Sequence, residues 1–476
     1  MFRPLLALSL FLLGMSSPPG ARVPREDFDL PANPQYTICD SASDSLRFTA
    51  DKTLRRDEHG HLASISSFVD SDAHIMGWHD FGNLEGPGWA SNAVGGAYEL
   101  YTMGAFLHRP EWQAKALAVL DHVLDDGFLD SQTGFIRGYR DTATGKFCLN
   151  YKKNDDWFCP GSMAKIGYQL LIFADELGGD ARAARMRRQA TLVAQWLSSH
   201  VGDTPNGWFP RRTDPDGKLF RKNPKGAEDI LWQESADGLY ILQLQAALTT
   251  RRLADCSPAL RRKVGVFMNA GGIFGSINQD TFDAHENVAY SVAFRTLLAI
   301  SRVLNDPHIL TFAYERCLGG LEHFKIREDR NGVATRGLLM MEDSWDTAYL
   351  WENAEAALAY FEAATDTQPL DSPQRIAYET DGLVILRAIA RHHHGAYGFL
   401  TEGVDWNNHV GQQHHFDGAR FGDIRYTEPF LNNQHISEPT LYYLQHLART
   451  SSGSDGRAWR DAEGNVILKM PNASAR

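Results

Sequence analysis

Acids, amides, imidazoles and indoles recur together in short stretches, most of which stand just ahead of an apolar, helix-period segment. In chain order these are Asn83-Leu84-Glu85-Gly86-Pro87-Gly88-Trp89, Asn154-Asp155-Asp156-Trp157-Phe158, Trp232-Gln233-Glu234-Ser235-Ala236-Asp237, His285-Glu286-Asn287, Glu342-Asp343-Ser344-Trp345-Asp346 and the run from Glu402 to Glu438. A flat indole stacks on the C–H face of a sugar ring, and neighbouring carboxylates and amides take its hydroxyls in directed hydrogen bonds. The set suits a carbohydrate ligand, with Trp89, Trp157, Trp232, Trp345 and Trp406 as stacking faces and His285, Glu286 and Asn287 as polar contacts. The blander alternative makes each acid a helix cap and each indole a core plug. It accounts for single positions better than for their recurrence.

Cleaving a glycosidic bond usually takes two carboxyl groups, one protonated and one ionised. Glu234 and Asp237 stand three apart at a helix start, so that one can cap while the other faces inward, and Asp343 and Asp346 repeat the arrangement. The expected acid/base pair is Glu234 with Asp343 or Asp346. The stretch Asp405-Trp406-Asn407-Asn408-His409, with His414-His415, Arg420, Arg425-Tyr426, Glu428 and His435, is richer in amide, imidazole, guanidinium and phenol. That set suits β-elimination at a uronic acid, with Asn408 neutralising the carboxylate while Tyr426 and His409 move protons. It equally suits a hydrolase that grips a uronate through Arg420 or Arg425.

No cofactor and no metal are expected. His409 with His414 and His415 could hold zinc, but no HExxH or CxxC spacing supports it. His392-His393-His394 ends a helix, where imidazoles complement the dipole. GxGxxG, GxxxxGK[ST] and GxSxG are all absent, so nucleotide and serine-hydrolase chemistry have no support.

The elements that must position these residues repeat. Gly134-Phe135-Ile136, Gly207-Trp208-Phe209, Gly272-Ile273-Phe274, Gly332-Val333-Ala334 and Gly398-Phe399-Leu400 each precede a polar, aromatic loop and then a helical segment. First helices are expected near Asn92, Gly161, Ser235, Asn287, Asp346 and Ile436, and second helices near Glu111, Arg182, Pro258, Pro307 and Gln374. The segment from Gly161 to Leu177 is apolar on most sides, whereas that from Arg182 to His200 has one apolar stripe and a basic face. The first helix of each pair is therefore inner and the second outer. The outer partner missing from this count is expected from the N-terminal side, around Ser43 to Arg56. These pairs close a ring, an all-α (α/α)6 toroid, whose loops and inner-helix N-termini gather into a funnel at one end.

The chain has 476 residues, with 47 Lys and Arg against 59 Asp and Glu and a net charge of −12, which gives no basic footprint for nucleic acid. Arg3, the apolar run Leu5 to Leu13 and the small residues to Ala21 read as a signal peptide over 1–21, too short to insert across a membrane. A secreted or periplasmic protein is expected, with an N-terminal extension over 22–91, the barrel over 92–450 and a polar tail over 451–476. Export permits disulfides, and Cys148 with Cys159 is the expected pair.

This repeat, with acid and aromatic loops such as EDSWDTAYLWENAE (Glu342 to Glu355), resembles the six-hairpin glycosidase-like superfamily of (α/α)6 toroids over roughly Asn92 to Thr450. The resemblance implies sugar chemistry without choosing the reaction. The leading expectation is a glycoside hydrolase acting on an oligo- or polysaccharide, uronate-containing chains included. The alternatives are a polysaccharide lyase, a non-catalytic sugar-binding protein, and an epimerase using His285 and His409.

Overall fold

The computed structural model describes residues 37–450 except 58, 67, 76–83, 153–154, 224, 278–282, 370–371, 395–397, 408–421 and 425, and also 458–460 and 466–469. The expected signal peptide, Asn408, His409, Arg420 and Arg425 lie outside the described residues. Helices follow in the order α1 (Ile38–Phe48), α2 (Ala93–Phe106), α3 (Pro110–Asp125), α4 (Pro160–Leu177), α5 (Ala181–His200), the short α6 (Ile230–Gln233) and α7 (Leu239–Thr250). Then come α8 (Ser257–Asn269), α9 (Asn287–Leu304), α10 (Pro307–Phe312, continued by tighter and wider turns to Phe324), α11 (Leu350–Asp366), α12 (Pro373–Ala390) and α13 (Ser437–His446).

The inner ring runs α2, α4, α7, α9, α11, α13, each packed on the next, and α13 returns to α2. The outer helices α3, α5, α8, α10 and α12 each pack on the inner helix that precedes them, and α1 packs on α13. The all-α toroid expected from the repeat is the fold observed.

Its two layers follow from side-chain distribution. In α7 every residue from Leu239 to Leu248 is buried, because core lies on all sides. In α5 the buried set Ala183, Met186, Ala190, Val193, Ala194 and Leu197 forms one stripe at helical spacing, leaving the arginines outward. Outer helices start sharply: α3, α8, α10 and α12 carry proline in their first positions, and Asp180, Asp306 and Ser372 cap α5, α10 and α12 with side-chain oxygens.

Strands absent from the sequence reading supplement the ring. Leu54–Arg56, Leu62–Ser66, Leu84–Glu85, Tyr139–Asp141 and Phe147–Cys148 form an antiparallel sheet in chain order. Thr347–Tyr349 pairs with Gly403–Asp405, which delays α11 from Asp346 to Leu350. Ala458–Arg460 and Val466–Lys469, within the stretch read as a tail, are paired strands. The expected Cys148–Cys159 bridge is not formed. Cys148 lies half-buried in its short strand, whereas Cys159 is buried ahead of α4 against Trp157 and Trp232. No described helix is long and apolar enough to cross a membrane.

Candidate functional site

Ring closure brings charged residues of the inner helices onto the barrel axis. There a small cavity of about 30 Å³ is lined by side chains from all six inner helices. At its centre Arg295 of α9 donates to Glu355 of α11 at 2.6 Å, and His435, just ahead of α13, lies 3.2 Å from Glu355 and 3.2 Å from Glu99 of α2. Burial pushes the His435 imidazolium down, but Glu99 and Glu355 outweigh it and lift its pKa to about 10. Burial works against ionised Glu355 too, yet Arg295 and His435 hold it well below the usual carboxylate range. Desolvation wins at Glu438, which rises to about 7.

Lys165 of α4 stands above this cluster. Burial pushes its ammonium down against the pull of Glu355, Glu438, Glu99 and Asp237. Its Nζ has no hydrogen-bond partner among the described residues and lies 5.4 Å from the Tyr240 ring and 5.9 Å from that of Trp351. Trp351 meets Trp89 edge to face at 5.6 Å and His435 at 6.3 Å. Two indoles, a phenol and an ammonium therefore adjoin the acidic cluster.

Asp237 is the acid nearest in kind to a catalytic group. It sits in the tight turn Ala236–Gly238 that opens α7 and is 3% exposed. Burial raises its pKa to about 7 against Arg211, the Gly161 N–H, Arg212 and Lys165, all of which favour the anion. Its Oδ2 has no hydrogen-bond partner among the described residues. The close approach requires Gly161: a Cβ there would fall 2.0 Å from the Asp237 carbonyl oxygen and 2.3 Å from Oδ2. A second acid, Glu342, is raised to about 8 by burial and by Glu286, directly opposite on a bridged strand position.

The other expected residues divide. Glu234 accepts from Asn206 at 3.1 Å and, with His285, lines a separate cavity of about 620 Å³ that also holds Glu315 and Arg316 of the outer layer. His285 lies 2.7 Å from the Tyr290 hydroxyl. Asp343 is exposed, 2.6 Å from His323, and Asp346 accepts from Trp406 and Asn407 at 3.1 and 2.8 Å, so it fixes a loop. Tyr426 is fully buried edge-on to Phe68 at 4.6 Å, and burial with Glu402 nearby drives its phenol far up, so it holds its proton near neutrality.

The Arg212 guanidinium lies 4.7 and 3.5 Å from the Trp157 and Trp232 centroids in cation–π contact with both indoles, which meet each other edge to face at 6.0 Å. Trp406 is buried under Arg330, Trp345 is half-buried, and Trp89 is the expected indole that adjoins the axial group. Asn287, at the start of α9, donates to Glu352 at 3.0 Å, while Glu286 accepts from the Ile277 N–H at 2.5 Å. Glu99, Lys165, Tyr240, Arg295, Trp351 and Glu355 stand within inner helices and not in the loops, and are not among the residues the sequence singles out. Their signal was a charge within an otherwise apolar inner helix, as in AKIGYQLL or YELYTM.

No family profile matches the chain, and no curated protein is similar to it in sequence. Solved structures do match. A sugar epimerase from a ruminal bacterium is 13% identical with a TM-score of 0.60, covering 87% of this chain and 98% of its own. Cellobiose 2-epimerase from Bacillus thermoamylovorans is 11% identical with a TM-score of 0.57, covering 85% and 99%. The GH76 α-mannanase of Bacteroides thetaiotaomicron is 11% identical with a TM-score of 0.54, covering 86% and 96%. At such identities the shared property is architecture, and that architecture is the six-hairpin (α/α)6 toroid.

Proposed function

We propose that the chain is a carbohydrate-active enzyme, a glycoside hydrolase whose general acid is Asp237. The observation that carries this reading is a buried carboxyl at an inner-helix start that keeps its proton to about pH 7 while leaving one oxygen unpartnered. Such a group can protonate a departing glycosidic oxygen at neutral pH, the task that demands a raised carboxyl. Glu355 supplies the ionised partner, since Arg295 and His435 hold it anionic, and both carboxyls act electrostatically on Lys165 and Tyr240. Trp89 and Trp351 offer aromatic faces beside them. The apolar run near the N-terminus adds export to the proposal.

Of the three structures named above, two are sugar epimerases and one is a mannanase. An epimerase working through His285 and His409 has less support here, because His285 is engaged with Tyr290 in the other cavity and His409 lies outside the described residues. The test is reducing-sugar release from a panel of neutral and uronate-containing oligosaccharides by the native chain and by Asp237→Asn. Release that D237N abolishes supports hydrolysis through this acid. Release unchanged in D237N rejects the assignment, and an ultraviolet-absorbing unsaturated product would make the enzyme a lyase.

A further inference from the structure

Away from the axis, where the hairpin Leu54–Ser66 packs on α3, a second polar cluster gathers Asp57, His61, His122, Asp126, Glu85 and Arg140. His61 Nδ1 lies 3.2 Å from Asp57 Oδ2 and 3.2 Å from Asp126 Oδ2, and His122 Nδ1 lies 2.5 Å from the same Asp126 oxygen. Ligand atoms of a tetrahedral zinc site with bonds of about 2.0–2.1 Å stand about 3.3–3.4 Å apart. Two of the three separations fall within about 0.2 Å of that edge, and the third, at 2.5 Å, requires the Asp126 carboxylate to move outward by about 0.8 Å.

Charge points the same way. Asp57, Glu85 and Asp126 face one guanidinium, Arg140, which contacts Glu85 at 2.6 Å and Asp57 at 3.2 Å. Two positive charges are needed to balance the group. The His61 and His122 rings stack at 4.9 Å and 27°, which brings their nitrogens to one place. One divalent cation between the imidazoles supplies that charge.

The surroundings suit an ion as well. Glu85 Oε2 lies 3.6 Å from His122 Nε2, the carboxylate–imidazole arrangement that turns the opposite nitrogen toward a metal. Arg140 approaches the same Nε2 at 3.3 Å, so the apo group has a choice of tautomer that a bound ion would fix. The His122 and Glu85 side chains are only 2% exposed, whereas those of His61 and Asp126 are 38% and 23% exposed, which gives a rigid floor and an open entry.

We propose that Asp57, His61 and His122, whose ligand atoms all lie within 4.8 Å of one another, form a structural site for a divalent first-row cation of the zinc class, completed by the shifted Asp126 carboxylate and pinning the N-terminal hairpin to the outer helix α3. Binding to the folded chain adds stability that grows with the logarithm of metal concentration above Kd. The site is independent of the axial chemistry.

The experiment uses the full chain, stripped with EDTA and titrated with Zn²⁺ by calorimetry, and with Co²⁺ followed by visible absorption. The expected result is one equivalent bound, the intense visible bands of tetrahedral cobalt, and a rise in Tm. His61→Ala and Asp57→Asn should each weaken binding at least about 100-fold, and Glu85→Gln about 10- to 100-fold. His393→Ala, in the separate triple-histidine stretch, should leave binding unchanged. Should H61A unfold the chain, D57N and the cobalt spectrum of the native protein still decide. Sub-stoichiometric binding, or binding lost in H393A but kept in H61A and D57N, overturns the proposal.

Discussion

Replacing Asp237 with asparagine separates the energetic and chemical consequences of burying this acid. The folded carboxyl titrates near 7 instead of 3.8, equivalent to about 4 kcal/mol against the buried anion. Because the folded state holds the proton more tightly than the unfolded chain, this stabilising contribution is complete below about pH 3.8. It is lost as pH rises through about 7. An amide of the same shape does not titrate, so D237N escapes that loss. Evaluated at about pH 5 and about pH 8, the stability of D237N relative to the native chain should grow by about 2.5–3 kcal/mol. Urea midpoints read by tryptophan fluorescence at the two pH values measure it, alongside reducing-sugar release. A difference below about 1 kcal/mol would show that the carboxyl titrates normally in the fold, and the general-acid argument would fall with it.

Three further outcomes follow from the packing. Glu355→Gln leaves Arg295 and His435 buried without their shared anion and should cost about 3–5 kcal/mol in chemical denaturation, with Glu362→Gln, at a more exposed edge of Arg295, costing less; equal losses would refute the triad. Gly161→Ala would gain up to about 1 kcal/mol in an ordinary helix interior, but here its methyl meets Asp237. Both Tm and activity should fall, and a rise in Tm would contradict the close contact. Glu234→Gln and Asp343→Asn, neither of which lines the axial cavity, should keep kcat/KM within about twofold, and a collapse in either would return catalysis to the loops.

The ring was legible because periodicity and punctuation agree. The starts expected near Asn92, Gly161, Asn287, Glu111, Pro307 and Gln374 each lie within a residue of the helices observed. The delayed start of α11 was hidden because Thr347–Tyr349 pairs with a strand more than 50 residues away, which no local pattern encodes. The site was less legible for the same reason. Asp346 and Asp237 both stand before inner helices, yet one binds a loop indole and the other turns into the core. That choice depends on Trp406 and Gly161, contributed by other hairpins.

Magnitudes explain how an acid can stay protonated in the turn that opens an inner helix. Each helix end favours an anion by about 0.3–1 kcal/mol, up to about 2 kcal/mol where partly buried. Arg211, Arg212, Lys165 and the Gly161 N–H all add to that pull on Asp237. Burial still exceeds their sum, because the same enclosure that strengthens these attractions removes the water that would solvate the charge. At Glu355 the balance reverses, since Arg295 touches the carboxylate directly and His435 bonds it, a proximity that desolvation does not overcome. Two carboxyls of one ring are thus driven to opposite protonation states by whether a cation makes contact or only stands nearby. Removing that contact from Glu355 with Arg295→Met should therefore raise its pKa toward that of Asp237 and abolish any acid/base division between them. Activity surviving in folded R295M with an unchanged pH profile would show that the division plays no part in turnover.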